Sequence, residues 1–266
     1  MNRCLTIAAF SIAAMGSVNA VSSPGTGLHH NVSIIDLIDR GKESTPLTLE
    51  MNVSSRESPI LVTLDKGQAY LQRLDWESSK RSAKATFTLS DFTSGWQWQK
   101  DNLKLDGYRH LPARKASSVL VAYGSKASPV WAELPGAPLS DTGKLVIRHV
   151  NLFGQQTGTG DVSWQINYQC EKPRITSGKA ISKSGVLTSH AQHFECKRGT
   201  LRRISLKPLG GEASSQSEVS FPLNDEKLEK LYTGHYLMLI YPDSQQPKGV
   251  NYAIVDLDKP VKPYGE

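Results

Sequence analysis

Two tryptophans stand two residues apart in the run Gly95-Trp96-Gln97-Trp98-Gln99. Residues i and i+2 of a strand share a face, so Trp96 and Trp98 predict a flat aromatic shelf flanked by Gln97, Gln99 and Lys100. Such a shelf suits the apolar face of a sugar ring or a partner's side chain. Tyr108 and Arg109 follow, with His110, in a turn-rich stretch and complete this expected ligand-binding site. The competing reading of the pair is core packing.

The remaining reactive side chains assemble into nothing catalytic. Asp36 with Asp39, and Asp75 with Glu77, have the composition of acid/base pairs. That chemistry needs a set separation across a cleft, and local spacing reads better as solvated faces. His190-Ala191-Gln192-His193 has helical ligand spacing but leads into Phe194-Glu195-Cys196, which reads as strand or loop. There, residues three apart face opposite sides, so the imidazoles diverge, and no third metal ligand is nominated. No Gly-x-Ser-x-Gly elbow or His-Glu-x-x-His pair occurs, and the Gly143-Lys144 pair lacks both phosphate-loop spacing and the hydroxyl that Leu145 replaces. The sequence therefore predicts no catalytic residues, no metal and no cofactor: a protein that is not an enzyme.

Met1 to Ala20 has the outline of a signal peptide: a basic Arg3, an uncharged stretch from Leu5 to Met15, and small residues at Val18-Asn19-Ala20. Export to the periplasm, a fimbrium or the cell surface is the expectation. No other run approaches the ~20 apolar residues of a spanning helix, so no membrane span is expected. The formal charge of the 266 residues is +6, with the basic residues in short groups such as Lys80-Arg81 and Arg202-Arg203. Broken groups of this kind predict solvated faces rather than a nucleic-acid stripe. Cys170 and Cys196 are the two cysteines beyond Ala20. In an oxidising compartment they are expected to pair, which stabilises by roughly 3 kcal/mol for a loop of this size.

Period-two alternation dominates the chain. Leu47, Leu49, Met51 and Val53 alternate with Thr48, Glu50 and Asn52, a half-buried strand. Ile60 to Leu64, Ala85 to Leu89, Val119 to Tyr123 and Leu145 to Val150 read as further strands between turn residues. Helices are short at most: Ile34 to Arg40, which reads equally as strand, and Asp225 to Tyr232. The fold class expected is all-β, two immunoglobulin-like β-sandwich units. The polar, glycine-rich Gly154 to Gly160 stretch predicts the break, giving units 21–154 and 160–266. No internal repeat and no low-complexity tract is visible.

In the second unit, Val162, Trp164, Ile166, Tyr168 and Cys170 alternate without a fault, and Gly234-His235-Tyr236 precedes the run Leu237-Met238-Leu239-Ile240-Tyr241. Gly234 and Tyr236 have the outline of a tyrosine corner, a structural role. The stretch Gly160 to Cys170 resembles the opening strand of bacterial chaperone–usher fimbrial subunits, and the Gly234 passage is similar to their late strands. The resemblance spans about 160–241 and departs from the family in its close cysteines and in the strand Val250 to Leu257 that follows. It implies an exported fimbrial or adhesin-like subunit with protein partners, a periplasmic chaperone or a neighbouring subunit, and a glycan as a further ligand. The alternative is a periplasmic module that binds a glycan or small ligand.

Overall fold

The computed structural model describes residues 28–41, 45–54, 56–76, 82–106, 117–136, 145–154, 162–170, 179–182, 192–194, 201–209, 218–222, 234–246 and 248–258. The expected signal peptide, the Asp225 to Tyr232 helix, Tyr108, Arg109, His190 and Cys196 lie outside them. Within them the protein is all-β, as its alternation predicts. The first eight strands are β1 (Leu28–Asp36), β2 (Leu47–Val53), β3 (Ile60–Leu64), β4 (Ala69–Trp76), β5 (Ser82–Asp91), β6 (Trp96–Asp106), β7 (Ser118–Ser125) and β8 (Ser128–Pro135). The next eight are β9 (Leu145–Asn151), β10 (Ser163–Cys170), β11 (Lys179–Ser182), β12 (Gln192–Phe194), β13 (Leu201–Leu209), β14 (Val219–Pro222), β15 (Gly234–Pro242) and β16 (Val250–Asp256).

They form four four-stranded sheets: sheet A in order β4-β1-β7-β8, sheet B in order β3-β2-β5-β6, sheet C in order β12-β9-β15-β16 and sheet D in order β11-β10-β13-β14. Adding eight to every strand number of A and B generates C and D, so the chain repeats one topology twice. In each repeat the first strand runs parallel to the seventh, β1 to β7 and β9 to β15, while the other pairings are antiparallel. The equivalence extends to single residues. Leu37 N–H donates to the Ala122 carbonyl at 2.7 Å, and Leu152 N–H to that of Ile240 at 2.8 Å. Asp36 Oδ1 accepts from Ile38 N–H at 3.0 Å, and Asn151 Oδ1 from Phe153 N–H at 3.1 Å. Composition hides this repeat because matched positions share burial more often than residue type.

Two corrections to the sequence reading follow. The chain does carry an internal repeat, in topology rather than in sequence, and the boundary between its copies lies between Pro135 and Leu145. β9 precedes the Gly154 to Gly160 stretch yet pairs with β12 and β15, so that stretch joins two sheets of one unit. Polar glycine-rich loops serve a crossover as well as a linker, and only pairing tells them apart.

Sheets A and B enclose one core, with Val32, Ile34, Leu49, Phe87, Leu89 and Leu120 among its buried residues. Sheets C and D enclose another, built on Trp164, Ile166, Tyr168, Ile204 and Met238. A third core fastens A to C: Ile35, Leu37, Val119, Val121 and Tyr123 face Val150, Leu152, Leu237, Leu239 and Tyr241. Under the residue equivalence these are matching positions of the two repeats. The same face is used on both sides, as in an isologous dimer, and the layers run B-A-C-D. Strands β7 and β15 are therefore covered on both faces, which is why they read as unbroken apolar runs instead of alternating.

Candidate functional site

Trp96 and Trp98 do lie on one face of β6, but it is the face toward the sandwich interior. Their neighbours Gln97 and Gln99 are exposed while both indoles are half-buried. Trp96 packs against the first core. Trp98 stacks on Trp131 of β8, with centroids 5.1 Å apart and planes at 25°, and Phe87 tilts against Trp131 at 6.4 Å. The structure thus pairs Trp98 with Trp131 across the open side of the first sandwich, where β6 and β8 end their sheets. Sequence spacing missed Trp131, which is 33 residues away and met only through the fold.

Asp36 and Asp39 depart further from expectation. Both belong to a polar clasp at the A–C seam, Asp36 fully buried and Asp39 half-buried. Asp36 ends β1 with no exposed side-chain surface and receives Arg40 Nη1 at 2.5 Å, both side chains being fully buried. Burial pushes the Asp36 carboxyl above the usual range, against the pull of Arg40, the Ile38 N–H and Lys66. Among the described residues Arg40 Nε and Nη2 meet no hydrogen-bond partner, and a buried ion pair of this kind is weak evidence of stability, since desolvation offsets much of its attraction. Its repeat equivalent, Asn151, makes the same turn without a charge.

The clasp reaches across the seam. Asp39 Oδ2 accepts from Ser244 N–H at 2.9 Å. Burial raises the Asp39 carboxyl, but hydrogen bonds from Ser244 and Gly41 outweigh it and the net shift is downward. Lys66 Nζ lies 3.5 Å from Asp243 Oδ1, and Asn251 Nδ2 donates to Asp243 Oδ2 at 3.0 Å. Burial, then the neighbouring Asp243, Asp36 and Asp39, push the Tyr241 phenol up.

Lys66 occupies the turn after β3, so the clasp also fixes one end of that strand. Gly67 takes a φ of 80° in the turn, and its N–H donates to the Asp36 carbonyl at 2.8 Å. Tyr70 closes the turn by donating to Asp65 Oδ2 at 2.9 Å. Among the described residues the strand so held is the outer edge of sheet B. Its sequence, Ile-Leu-Val-Thr-Leu, carries no charge and no proline, and Leu61 at its second position is 65% exposed. An unpaired row of backbone donors and acceptors with an apolar outer side chain is a template for another strand.

His149, in β9, hydrogen-bonds the Tyr168 hydroxyl inside the second core; burial lowers its pKa to about 4. Burial likewise raises the Tyr168 phenol, and lifts that of Tyr236 with help from Asp256 and Asp258. Gly234 opens β15, and Tyr236 is buried in the second core. Cys170 closes β10 beside a bulge opposite Leu201, but its expected partner Cys196 is outside the described residues. His193 sits in β12 opposite Val146. Among the described residues no group of three or more His, Cys, Asp or Glu is placed to hold a metal, and no helix is long and apolar enough to cross a membrane.

Compared with known proteins, the chain matches no family model and none of the curated proteins.

Proposed function

We propose that this protein is an exported, non-enzymatic surface or fimbrial-type subunit, adhesin-like in its first sandwich, that assembles by β-strand pairing. The observation that carries the reading is β3, an end strand of sheet B among the described residues: five uncharged residues, pinned at one end by the clasp, with Leu61 65% exposed. Pairing at an edge gains affinity from main-chain hydrogen bonds and register from alternate side chains. The pattern of Met1 to Ala20 supports export, and export supports a Cys170–Cys196 disulfide.

Hydrogen exchange on protein harvested from the oxidising compartment tests this. Amides of β3 are expected to be protected in the assembled form and to exchange readily once the assembly is dissociated. A protein whose β3 amides exchange alike in both preparations does not work by strand pairing there.

The other reading, a monomeric module binding a glycan or small ligand, rests on the half-buried Trp98–Trp131 stack at the β6/β8 side. Indole fluorescence titrated with surface oligosaccharides reads it directly. A saturable change lost in Trp98→Ala would favour this reading over the first.

A further inference from the structure

Two triplets in the chain have the pattern of an acceptor for N-linked glycan, Asn-x-Ser/Thr with no proline between: Asn31-Val32-Ser33 and Asn52-Val53-Ser54. The fold separates them. Asn31 and Ser33 have no exposed surface, and β1, which carries them, is an inner strand of sheet A. A sugar reaches neither side chain while that sheet is intact. Asn52 and Ser54 are both exposed. Burial alternates along β2, so Asn52 lies with Thr48 and Glu50 on the outward face of sheet B, an outer layer of the molecule.

The backbone at this second triplet is lightly held. The pairing of β2 with β3 ends at Met51 opposite Ile60, so among the described residues Asn52 pairs only with Thr86 of β5. Two hydrogen bonds close that end of the sheet, Ser54 N–H to the Lys84 carbonyl at 2.9 Å and Lys84 N–H to Ser54 Oγ at 3.2 Å. The chain then turns, with Arg56 N–H donating to the Val53 carbonyl at 2.9 Å, into the exposed run Arg56 to Pro59. A strand end beside an exposed loop opens locally at low free energy, which lets a transferase take the triplet from the folded chain. Glu50 adds an independent feature. It accepts from Asn52 Nδ2 at 2.7 Å and stands two residues ahead of that asparagine. The run Glu50-Met51-Asn52-Val53-Ser54 therefore also fits the longer acceptor form read by bacterial oligosaccharyltransferases, Asp/Glu-x-Asn-x-Ser/Thr, whereas His29 holds that place before Asn31.

We propose that Asn52 is a site of N-glycosylation in the exported protein. The donor is a lipid-pyrophosphate-linked oligosaccharide, supplied with its transferase in the compartment to which the chain is exported. Asn52 Nδ2 forms a bond to C1 of the first sugar as the bond from C1 to the pyrophosphate oxygen breaks. The lipid pyrophosphate leaves with that electron pair, one amide proton passes to a base of the transferase, and nothing is oxidised or reduced. The inference rests on the export in the function proposed above and is independent of strand pairing at β3 and of the tryptophan stack.

Protein harvested from that compartment, digested and sequenced by tandem mass spectrometry, tests the assignment. The peptide carrying Asn52 is expected to bear a glycan mass on that residue, and Asn31 is expected to be bare. The mass is expected to vanish in Asn52→Gln and in Ser54→Ala and to persist in Ser54→Thr, which restores the hydroxyl. A wild type whose Asn52 is bare, or a glycan that persists in Ser54→Ala, overturns the proposal. The N-terminal peptide of the same digest separates this claim from export: a chain that begins after Ala20 with a bare Asn52 keeps export and loses the site, whereas a retained leader with a bare Asn52 counts against both.

Discussion

His149 shows how one buried residue sets a pH response. Its pKa falls from 6.5 to about 4 because burial disfavours the imidazolium, so the native protein refuses a proton that the unfolded chain accepts. The contribution is neutral above the unfolded pKa; stability is lost as pH drops below 6.5 and levels off near the folded value. The total is on the order of 3 kcal/mol. The urea midpoint is expected to fall between pH 6.5 and 4, and His149→Gln, which keeps an acceptor for Tyr168, is expected to flatten that decline. At the repeat-equivalent position the first unit has Ile34, which does not titrate. Trp98 makes a second residue-scale case. Trp98→Ala removes a half-buried ring and its stack on Trp131, with an expected cost of about 3 kcal/mol in denaturant unfolding. A melt unchanged from wild type would show that the indole contributes no packing stability. The shared face of Trp96 and Trp98 was legible from spacing, but its direction was not, because period two says which residues face together and never which way.

Among the elements, hairpins show local chemistry deciding structure. The β7–β8 turn needs Gly124, which has a φ of 88° and would place a Cβ 2.6 Å from the Ser128 carbonyl oxygen. The Gly124 carbonyl also accepts from Asp39 N–H at 2.7 Å, tying the turn to the clasp. Gly124→Ala is expected to cost about 2–4 kcal/mol in urea unfolding, since both φ and the backbone approach are violated. A loss below that range would mean the turn relaxes freely. Strand positions were readable at this scale: β2, β3, β5, β7 and β9 lie where alternation and turn residues put them. Their pairing was not, since the parallel contact of β1 with β7 joins residues 86 apart.

For the molecule as a whole, the apolar A–C seam has to hold the repeats together whatever joins them. Arg148 adds to it by donating to the Pro135 and Gly136 carbonyls at 2.8 and 2.6 Å, clamping the end of the first repeat to the second. A protease site inserted between Gly136 and Leu145 and then cut is expected to leave two fragments that co-elute in native buffer and part only in denaturant. In the cut protein, Leu239→Arg is expected to release them, because an unpaired charge in that seam costs roughly 3–5 kcal/mol. Fragments that separate without the substitution would show that the covalent link, and not the seam, keeps the repeats together.

By itself the sequence determined that this is an all-β protein of two sandwiches, and it showed Leu237 to Tyr241 as an unbroken apolar run. Alternation and unbroken apolar runs are local records of how many sides of a strand meet solvent. Only the tertiary structure decided that the sandwiches are copies of one topology joined face to face, that Asp36 lies buried against Arg40, that Trp98 meets Trp131, and that β3 ends sheet B among the described residues. Those facts concern which distant segments become neighbours. Burial patterns are degenerate there, because many partners satisfy one apolar face equally well until the whole chain has folded.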